Sequence, residues 1–308
     1  MNLTRDDAGP TPGSADISKM SCGKPAAAAA NGHCRDCAVH ARAFCAVLDD
    51  AALASLDKLH AIVDLGRDDC LYLEGDMAAD FFTILSGALR LSNLLPDGRR
   101  QITGFVLPGE FVGLSTAKTY IDNADALTEV RLCRFSRSDL ARMGQDYPEL
   151  DGRLLAMTND TLTRAREHML LLGRMTAPEK IAHFLFSLAL RVQASGQPAG
   201  QLVLPMSRSD IADFLGLTIE TVSRTFTELK SDNVISLPEH NRVLAGSKAP
   251  FVVGNGRFSR RFAVSAVFAS AAPSPPHGPR QFPLLALAQP PTAAHRPAGH
   301  RHRPAPTP

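Results

Sequence analysis

The stretch Ser207-Arg208-Ser209-Asp210-Ile211-Ala212-Asp213-Phe214-Leu215-Gly216-Leu217-Thr218-Ile219-Glu220-Thr221-Val222-Ser223-Arg224 decides the fold of this chain. Two helical patterns meet at Gly216, where the chain must turn sharply. Ser207 is an N-cap with Asp210 three residues on, and Thr218 caps the helix that follows. Ile211, Phe214, Leu217, Val222 and Phe226 are spaced to pack the two helices together. Glu220, Ser223 and Arg224 stand at i, i+3 and i+4, so they project from one side near the start of the second helix. In a DNA major groove an Arg pairs bidentately with guanine and a Glu accepts from cytosine N4, while a Ser reaches a base or a phosphate. Arg208, Thr218 and Thr221 are candidate phosphate contacts that set register without reading sequence. The same spacing also suits an ordinary surface ion pair between Glu220 and Arg224.

Working outward, residues 177–194 read as a preceding helix and 234–245 as a small hairpin, which completes a winged helix-turn-helix over 174–246. Upstream, Leu150, Leu154, Met157, Thr161, Arg164 or Ala165, His168, Leu171 and Leu172 form a helical stripe. One helix over 149–172 would run ~36 Å at 1.5 Å per residue. That length suits a dimer spine within a segment 148–173, although a helix lying on its own domain fits the stripe as well. Residues 62–135 are short apolar runs broken by Glu74-Gly75-Asp76, Ser86-Gly87, Pro96-Asp97-Gly98 and Pro108-Gly109-Glu110. Turns at this spacing predict an antiparallel β-sandwich or roll, and a short helix is expected at 50–59. The whole is an α+β chain: a cysteine segment with a β-sandwich or β-roll over 33–147, a long helix, then the winged helix-turn-helix.

The 308 residues carry a formal charge of +2. That figure conceals a division, because no Asp or Glu follows Glu239 whereas nine Lys or Arg do. The first 239 residues hold 24 basic against 31 acidic groups, so bulk charge does not mark a nucleic-acid binder and the local motif must carry that argument. Residues 1–32, rich in Gly, Pro, Ser and Ala, read as flexible, and 247–308, with 12 of the 22 prolines, as disordered. No apolar run reaches the length of a membrane span and no secretory leader is legible, which makes the cytoplasm the expected location. An enzyme needs a nucleophile with its base, paired carboxylates or a phosphate loop, and none is present in a recognisable frame.

The segment Leu217-Thr218-Ile219-Glu220-Thr221-Val222-Ser223-Arg224 resembles the recognition helix of the fumarate and nitrate reduction regulators, the oxygen-sensing branch of the cyclic-AMP receptor protein superfamily. The likeness extends through Gln101-Ile102-Thr103-Gly104-Phe105 and Leu107-Pro108-Gly109-Glu110-Phe111-Val112-Gly113, and covers about 33–245. It implies a homodimer on a two-fold double-stranded DNA site with TTGAT half-sites, and activation of transcription through RNA polymerase. By analogy the loop around 115–123 is the candidate polymerase contact.

Six cysteines lie at 22, 34, 37, 45, 70 and 133. In a chain expected in the cytoplasm they point to metal or redox chemistry rather than structural disulfides. Cys34, Cys37 and Cys45 form a C-x2-C-x7-C run, and Cys133 follows far along the chain. Four thiolates can complete a [4Fe–4S] cluster, but thiolates suit zinc equally. The resemblance implies the cluster, since the oxygen-sensing members carry three N-terminal cysteines and one central one. Cys22 and Cys70 are expected to be plain small apolar residues. In the nucleotide-binding branch an Arg about ten residues after the Gly-Glu pair holds the phosphate. Residues 111–130 contain no Arg and only Lys118, so no cyclic nucleotide is expected.

Overall fold

Short β-branched and aromatic runs between turn glycines build the first half as paired strands. The computed structural model describes Cys22, Ala27–Ala28 and residues 34–114, 117–194, 201–239 and 241–245. The tail 247–308 and most of the 1–32 stretch lie outside the described residues. The strands are β1 (Ala27–Ala28), β2 (His60–Leu65), β3 (Cys70–Tyr72), β4 (Asp80–Ser86), β5 (Leu89–Leu94), β6 (Arg100–Val106), β7 (Phe111–Val112), β8 (Asn123–Ala126) and β9 (Val130–Ser136). They form one sheet in the order β1-β2-β9-β4-β7 and another in the order β3-β8-β5-β6. Every pairing is antiparallel, as a β-roll requires.

Val63, Leu71, Phe82, Ile84, Leu89, Val106 and Leu132 fill the space between the sheets. Phe81 and Phe135 project the other way, into a second core with Phe44, whose ring meets each of them edge-on at 5.1 Å. β4 is therefore covered on both faces, which is why Phe81-Phe82-Thr83-Ile84 reads as a continuous buried run rather than an alternation. Gly87 turns at φ +84°, and a Cβ there would collide with the Glu129 carbonyl, so this turn accepts glycine alone.

Two expectations fail at the N-terminal end. The stretch 1–32 is not uniformly flexible, because β1 pairs with β2 through Ala27–Val63 and Ala28–Ile62. Cys22 and Cys70 are not isolated apolar residues either: they form a disulfide with Cα atoms 5.4 Å apart. With β1 antiparallel to β2, the start of one and the end of the other lie together, and this proximity was invisible in the sequence.

The helices are α1 (Asp50–Leu56), α2 (Arg137–Asp146), α3 (Pro148–Arg174), α4 (Ala177–Ala194), α5 (Arg208–Leu215) and α6 (Ile219–Ser231). A wing of three strands, β10 (Gln201–Val203), β11 (Ile235–Glu239) and β12 (Arg242–Ala245), is ordered β10-β12-β11. β10 and α2 were not anticipated. α2 is cut from α3 by Pro148, which opens α3 at its first turn. α3 is 27 residues long, or ~40 Å.

The stripe expected to pair subunits is only partly a free face. Leu150 and Leu154 are buried in the core that holds Phe44, and Leu171 is buried beneath α4 and α5. What the helix leaves outward is Leu155, Leu162 and Met169, exposed at 63%, 47% and 64%. Among the described residues no helix is long and apolar enough to cross a membrane.

Candidate nucleic-acid interface and metal centre

The reading head is held from both ends of α5. Ser207 Oγ accepts from the Asp210 amide at 3.1 Å and the Asp210 carboxylate accepts from the Ser207 amide at 2.9 Å, so the expected capping box forms. Asp210 also receives Arg90 at 2.8 Å and Arg100 at 3.0 Å, while Asp213 receives Arg100 at 2.7 Å. Burial opposes ionisation of Asp210, but its bonds to Ser207 and the charge of Arg90 win, and its pKa lies below the ordinary carboxylate value. At the far end Lys180 donates to the Leu215 carbonyl at 3.0 Å, and Gly216 takes the left-handed conformation at φ +60° that ends the helix.

These ion pairs cross from the β5–β6 hairpin to the helix-turn-helix, over 110 residues apart in sequence for Arg100 and Asp213. A second crossing joins Arg191 on α4 to Glu110 at 2.6 Å. Burial raises the Glu110 pKa, but the charge and hydrogen bonds of Arg191 outweigh it and hold the carboxyl below its usual value. Between the two crossings the Phe105 ring packs at a tilt on Phe214 at 5.2 Å and edge-on to Phe184 at 6.1 Å. The β-roll and the DNA-reading unit therefore share one apolar core. No sequence pattern marked these pairs, since each partner is an unremarkable charge on its own element.

α6 starts at Thr218, whose Oγ accepts from the Thr221 amide at 3.2 Å. Val222, Phe226 and Leu229 face inward, and Glu220, Ser223 and Arg224 are all exposed on the opposite side. Among the described residues no ion pair joins Glu220 to Arg224. Its own backbone amide and the Thr218 hydroxyl instead hold the Glu220 carboxyl below its ordinary pKa, leaving Arg224 unengaged by it. Arg208 is placed differently from Thr218 and Thr221. Its guanidinium lies 3.3 Å from the centre of the Phe226 ring, and burial lowers its pKa to about 10.

The four cysteines of the proposed centre converge. Cys34 opens a 3-10 turn (Cys34–Asp36), and Cys45 lies in another (Phe44–Val47), with a third (His40–Arg42) between them. Cys133 sits on β9, paired with Ile62 on one side and Thr83 on the other. Cys34, Cys45 and Cys133 are buried in a single cluster with Phe44, Leu150 and Leu154, and Cys37 is half-buried. Burial, with the charge of Cys37 and Cys45, pushes the Cys133 thiol up to about 12. Burial, then the charge of Cys37, also raises Cys45 to about 12. Burial is again the main cause for Cys34, assisted by Asp57. Such thiols are neutral unless a cation joins them, because thiolate is the form that binds metal. Three buried thiols with the half-buried Cys37 beside them offer the four-sulfur donor set that an iron–sulfur group takes.

Two neighbours of this centre went unnoticed in the sequence. The Cys34 amide donates to Asp57 at 2.6 Å, and His60 Nδ1 lies 4.0 Å from Cys34 Sγ. The ligand atoms of Cys34, Asp57 and His60 all lie within 4.8 Å of one another. Nothing in the spacing of Asp57 and His60, three apart beyond α1, marked them as neighbours of Cys34.

Two family descriptions match: a cyclic nucleotide-binding domain over residues 62–147 and a Crp-like helix-turn-helix domain over 179–245. The nitrogen fixation regulation protein FixK of Bradyrhizobium diazoefficiens is 43% identical over 208 residues, which is 67% of this chain and 88% of that protein. The transcriptional activator protein FnrL of Cereibacter sphaeroides is 38% identical, over 68% of this chain and 87% of that one. The solved structure of FixK2 from Bradyrhizobium japonicum superposes with a TM-score of 0.58 at 33% identity, over 70% of this chain and all of that one. With a β-roll, a long helix and a winged helix-turn-helix in that order, and with relatives of this similarity, the chain belongs to the FNR/CRP superfamily of transcription regulators, a family of DNA-binding proteins and not of enzymes.

Proposed function

We propose that this chain is an oxygen-responsive transcription activator of the cytoplasm. It binds a palindromic TTGAT-type DNA site as a homodimer while Cys34, Cys37, Cys45 and Cys133 hold a [4Fe–4S] cluster. One observation carries the reading: three of the four thiols pack in the same core as Leu150 and Leu154, so the metal centre and the start of α3 are one packed unit. When bound, the cluster supplies iron–sulfur bonds that join the N-terminal turns to β9 and that oxygen breaks.

The chain's own residues do the rest. Arg153 of α3 donates to the Arg42 carbonyl at 3.0 Å, between Cys37 and Cys45. The cysteine-bearing turns therefore cannot shift without disturbing α3. Further along α3, Leu155, Thr158, Leu162, Ala165, Met169 and Leu172 fall at heptad positions on the outward face. This face is the one we assign to the second subunit. Thr158 and Ala165 weaken the seam, which makes the dimer marginal and so responsive to a modest change in packing.

Each subunit then presents one α6, with half-sites ~34 Å apart matching the two-fold protein. Glu220, Ser223 and Arg224 read bases, and Thr218 and Thr221 hold phosphate. Arg208 reaches phosphate only by leaving the Phe226 face. RNA polymerase is assigned to the loop around 115–123, of which Ser115 and Thr116 lie outside the described residues and Ile121 is exposed at 66%. No cyclic nucleotide is assigned to the β-roll, because Glu110 is already taken by Arg191.

A second reading, a zinc-dependent regulator of the same fold, is favoured by the Cys34–Asp57–His60 grouping, since zinc takes mixed sulfur, nitrogen and oxygen ligands. Protein purified without oxygen separates the two. The cluster reading predicts a brown protein with bound iron and inorganic sulfide, and a colourless one containing zinc would replace it with the second reading.

A further inference from the structure

Cys22 and Cys70 take no part in the proposed metal centre, yet the fold joins them. We propose that they are a second redox site: a reversible dithiol, oxidised by peroxides, that fastens the N-terminal arm to the start of β3. Three observations support this. The two Cα atoms are 5.4 Å apart, within the span a disulfide bridges without backbone movement. Both residues are half-buried, open to small oxidants and to cellular reductants, whereas Cys34, Cys45 and Cys133 are buried. Finally, the pairing of β1 with β2 holds the arm at the same end of the sheet independently of the sulfur bond.

The chemistry balances with a peroxide as oxidant. One thiolate attacks the peroxide, breaking the O–O bond and giving a sulfenic acid and hydroxide. The other thiolate displaces hydroxide from that sulfenic sulfur and forms the S–S bond. Two electrons pass from sulfur to oxygen, and the two thiol protons leave in the two waters formed from hydrogen peroxide. A thiol reductant reverses the step.

The placement gives the bond a consequence. The 48-residue separation between Cys22 and Cys70 encloses Cys34, Cys37 and Cys45. β2, to which the arm is paired, carries Ile62 opposite Cys133. Closing this loop keeps the three N-terminal thiols close to the fourth after the metal is lost, because cross-linking restricts the opened chain. The oxidised pair thus preserves the site for rebuilding while oxygen is present.

This last consequence rests on the proposed cluster, but the dithiol itself does not, so the experiment has two arms. In the first, the full-length protein and its Cys70→Ser variant are treated with hydrogen peroxide, alkylated and digested without reduction. Mass spectrometry with fragmentation between Cys22 and Cys34 assigns the bonds. The expected result, in protein with or without iron, is a Cys22–Cys70 linkage that millimolar glutathione opens and that the variant lacks. Free, alkylated Cys22 and Cys70 after treatment, a bond from Cys22 to Cys34, Cys37 or Cys45, or a linkage that glutathione leaves intact would each overturn the redox site. In the second arm, air-exposed protein is returned to anaerobic iron and sulfide. Cluster recovery severalfold slower in Cys70→Ser than in the parent is expected, and equal rates overturn the protective role alone.

Discussion

Arg224→Ala is expected to weaken binding to a symmetric site by about 1–3 kcal/mol for each recognition helix, with the loss concentrated at one base position. A dimer places both helices on the duplex, so the two losses combine. The reason is geometric. Arg224 is exposed on the outer face of α6 and, among the described residues, is not tied down by Glu220. Removing it leaves the buried side of α6, with Val222 and Phe226, untouched. Stability should therefore hold while sequence discrimination falls. The check is fluorescence anisotropy on duplexes substituted one base pair at a time. Arg224→Ala should flatten the profile at one position in each half-site, whereas Thr218→Ala should lower affinity evenly. A variant that loses affinity evenly over all positions assigns Arg224 to phosphate instead of base reading.

The second large effect is expected from Leu162→Lys. Leu162 lies midway along α3 and is 47% exposed in the single chain, so a lysine there meets water in the monomer and leaves the fold intact. In a paired α3 seam it sets two ammonium groups against each other in an apolar contact. Analytical ultracentrifugation should show monomers, with unchanged circular dichroism. Binding to the full palindrome should fall by about 10²-fold or more, since two half-sites no longer act together. Leu162→Ile should keep both dimer and affinity. A Leu162→Lys protein that still sediments as a dimer would move the subunit contact to another face.

The contrast between the two helices shows where the sequence was informative. α5 and α6 were legible because every local signal agreed: the Ser207–Asp210 box, Gly216 at the turn, Thr218 at the cap and apolar spacing on one side. Strand order in the β-roll was not legible, because β9 lies between β2 and β4 through pairings that join distant segments. The stripe on α3 misled for a related reason. A 3.6-residue period marks apolar residues without saying what covers them, and Leu150, Leu154 and Leu171 are covered by their own chain. The seam assigned here shares Ala165 and Leu172 with that stripe but runs through Leu155, Thr158, Leu162 and Met169 instead.

At the proposed metal centre, Cys34, Cys37 and Cys45 declared themselves by spacing, and Cys133 was assigned through resemblance. The structure brings Cys133 within electrostatic reach of Cys34, Cys37 and Cys45. Asp57 and His60 were missed because a carboxylate and an imidazole beside a turn carry no pattern until the fold closes around Cys34. The ion pairs of Arg90 and Arg100 with Asp210 and Asp213 were likewise hidden. They tie the β5–β6 hairpin to α5 at the start of the helix-turn-helix. Asp210 serves both the cap and the crossing, so the turn that starts the reading head is also the place where the β-roll grips it.

On the proposed reading, sulfur-held iron at one end of the subunit governs DNA binding at the other, through a core shared with α3. The most direct measurement is the occupancy of one palindromic duplex by one anaerobic sample, before and after air is admitted, beside the Cys133→Ser variant. Tight binding that air abolishes is expected in the parent, and weak, air-indifferent binding in the variant. Equal occupancy in all four conditions would contradict this coupling.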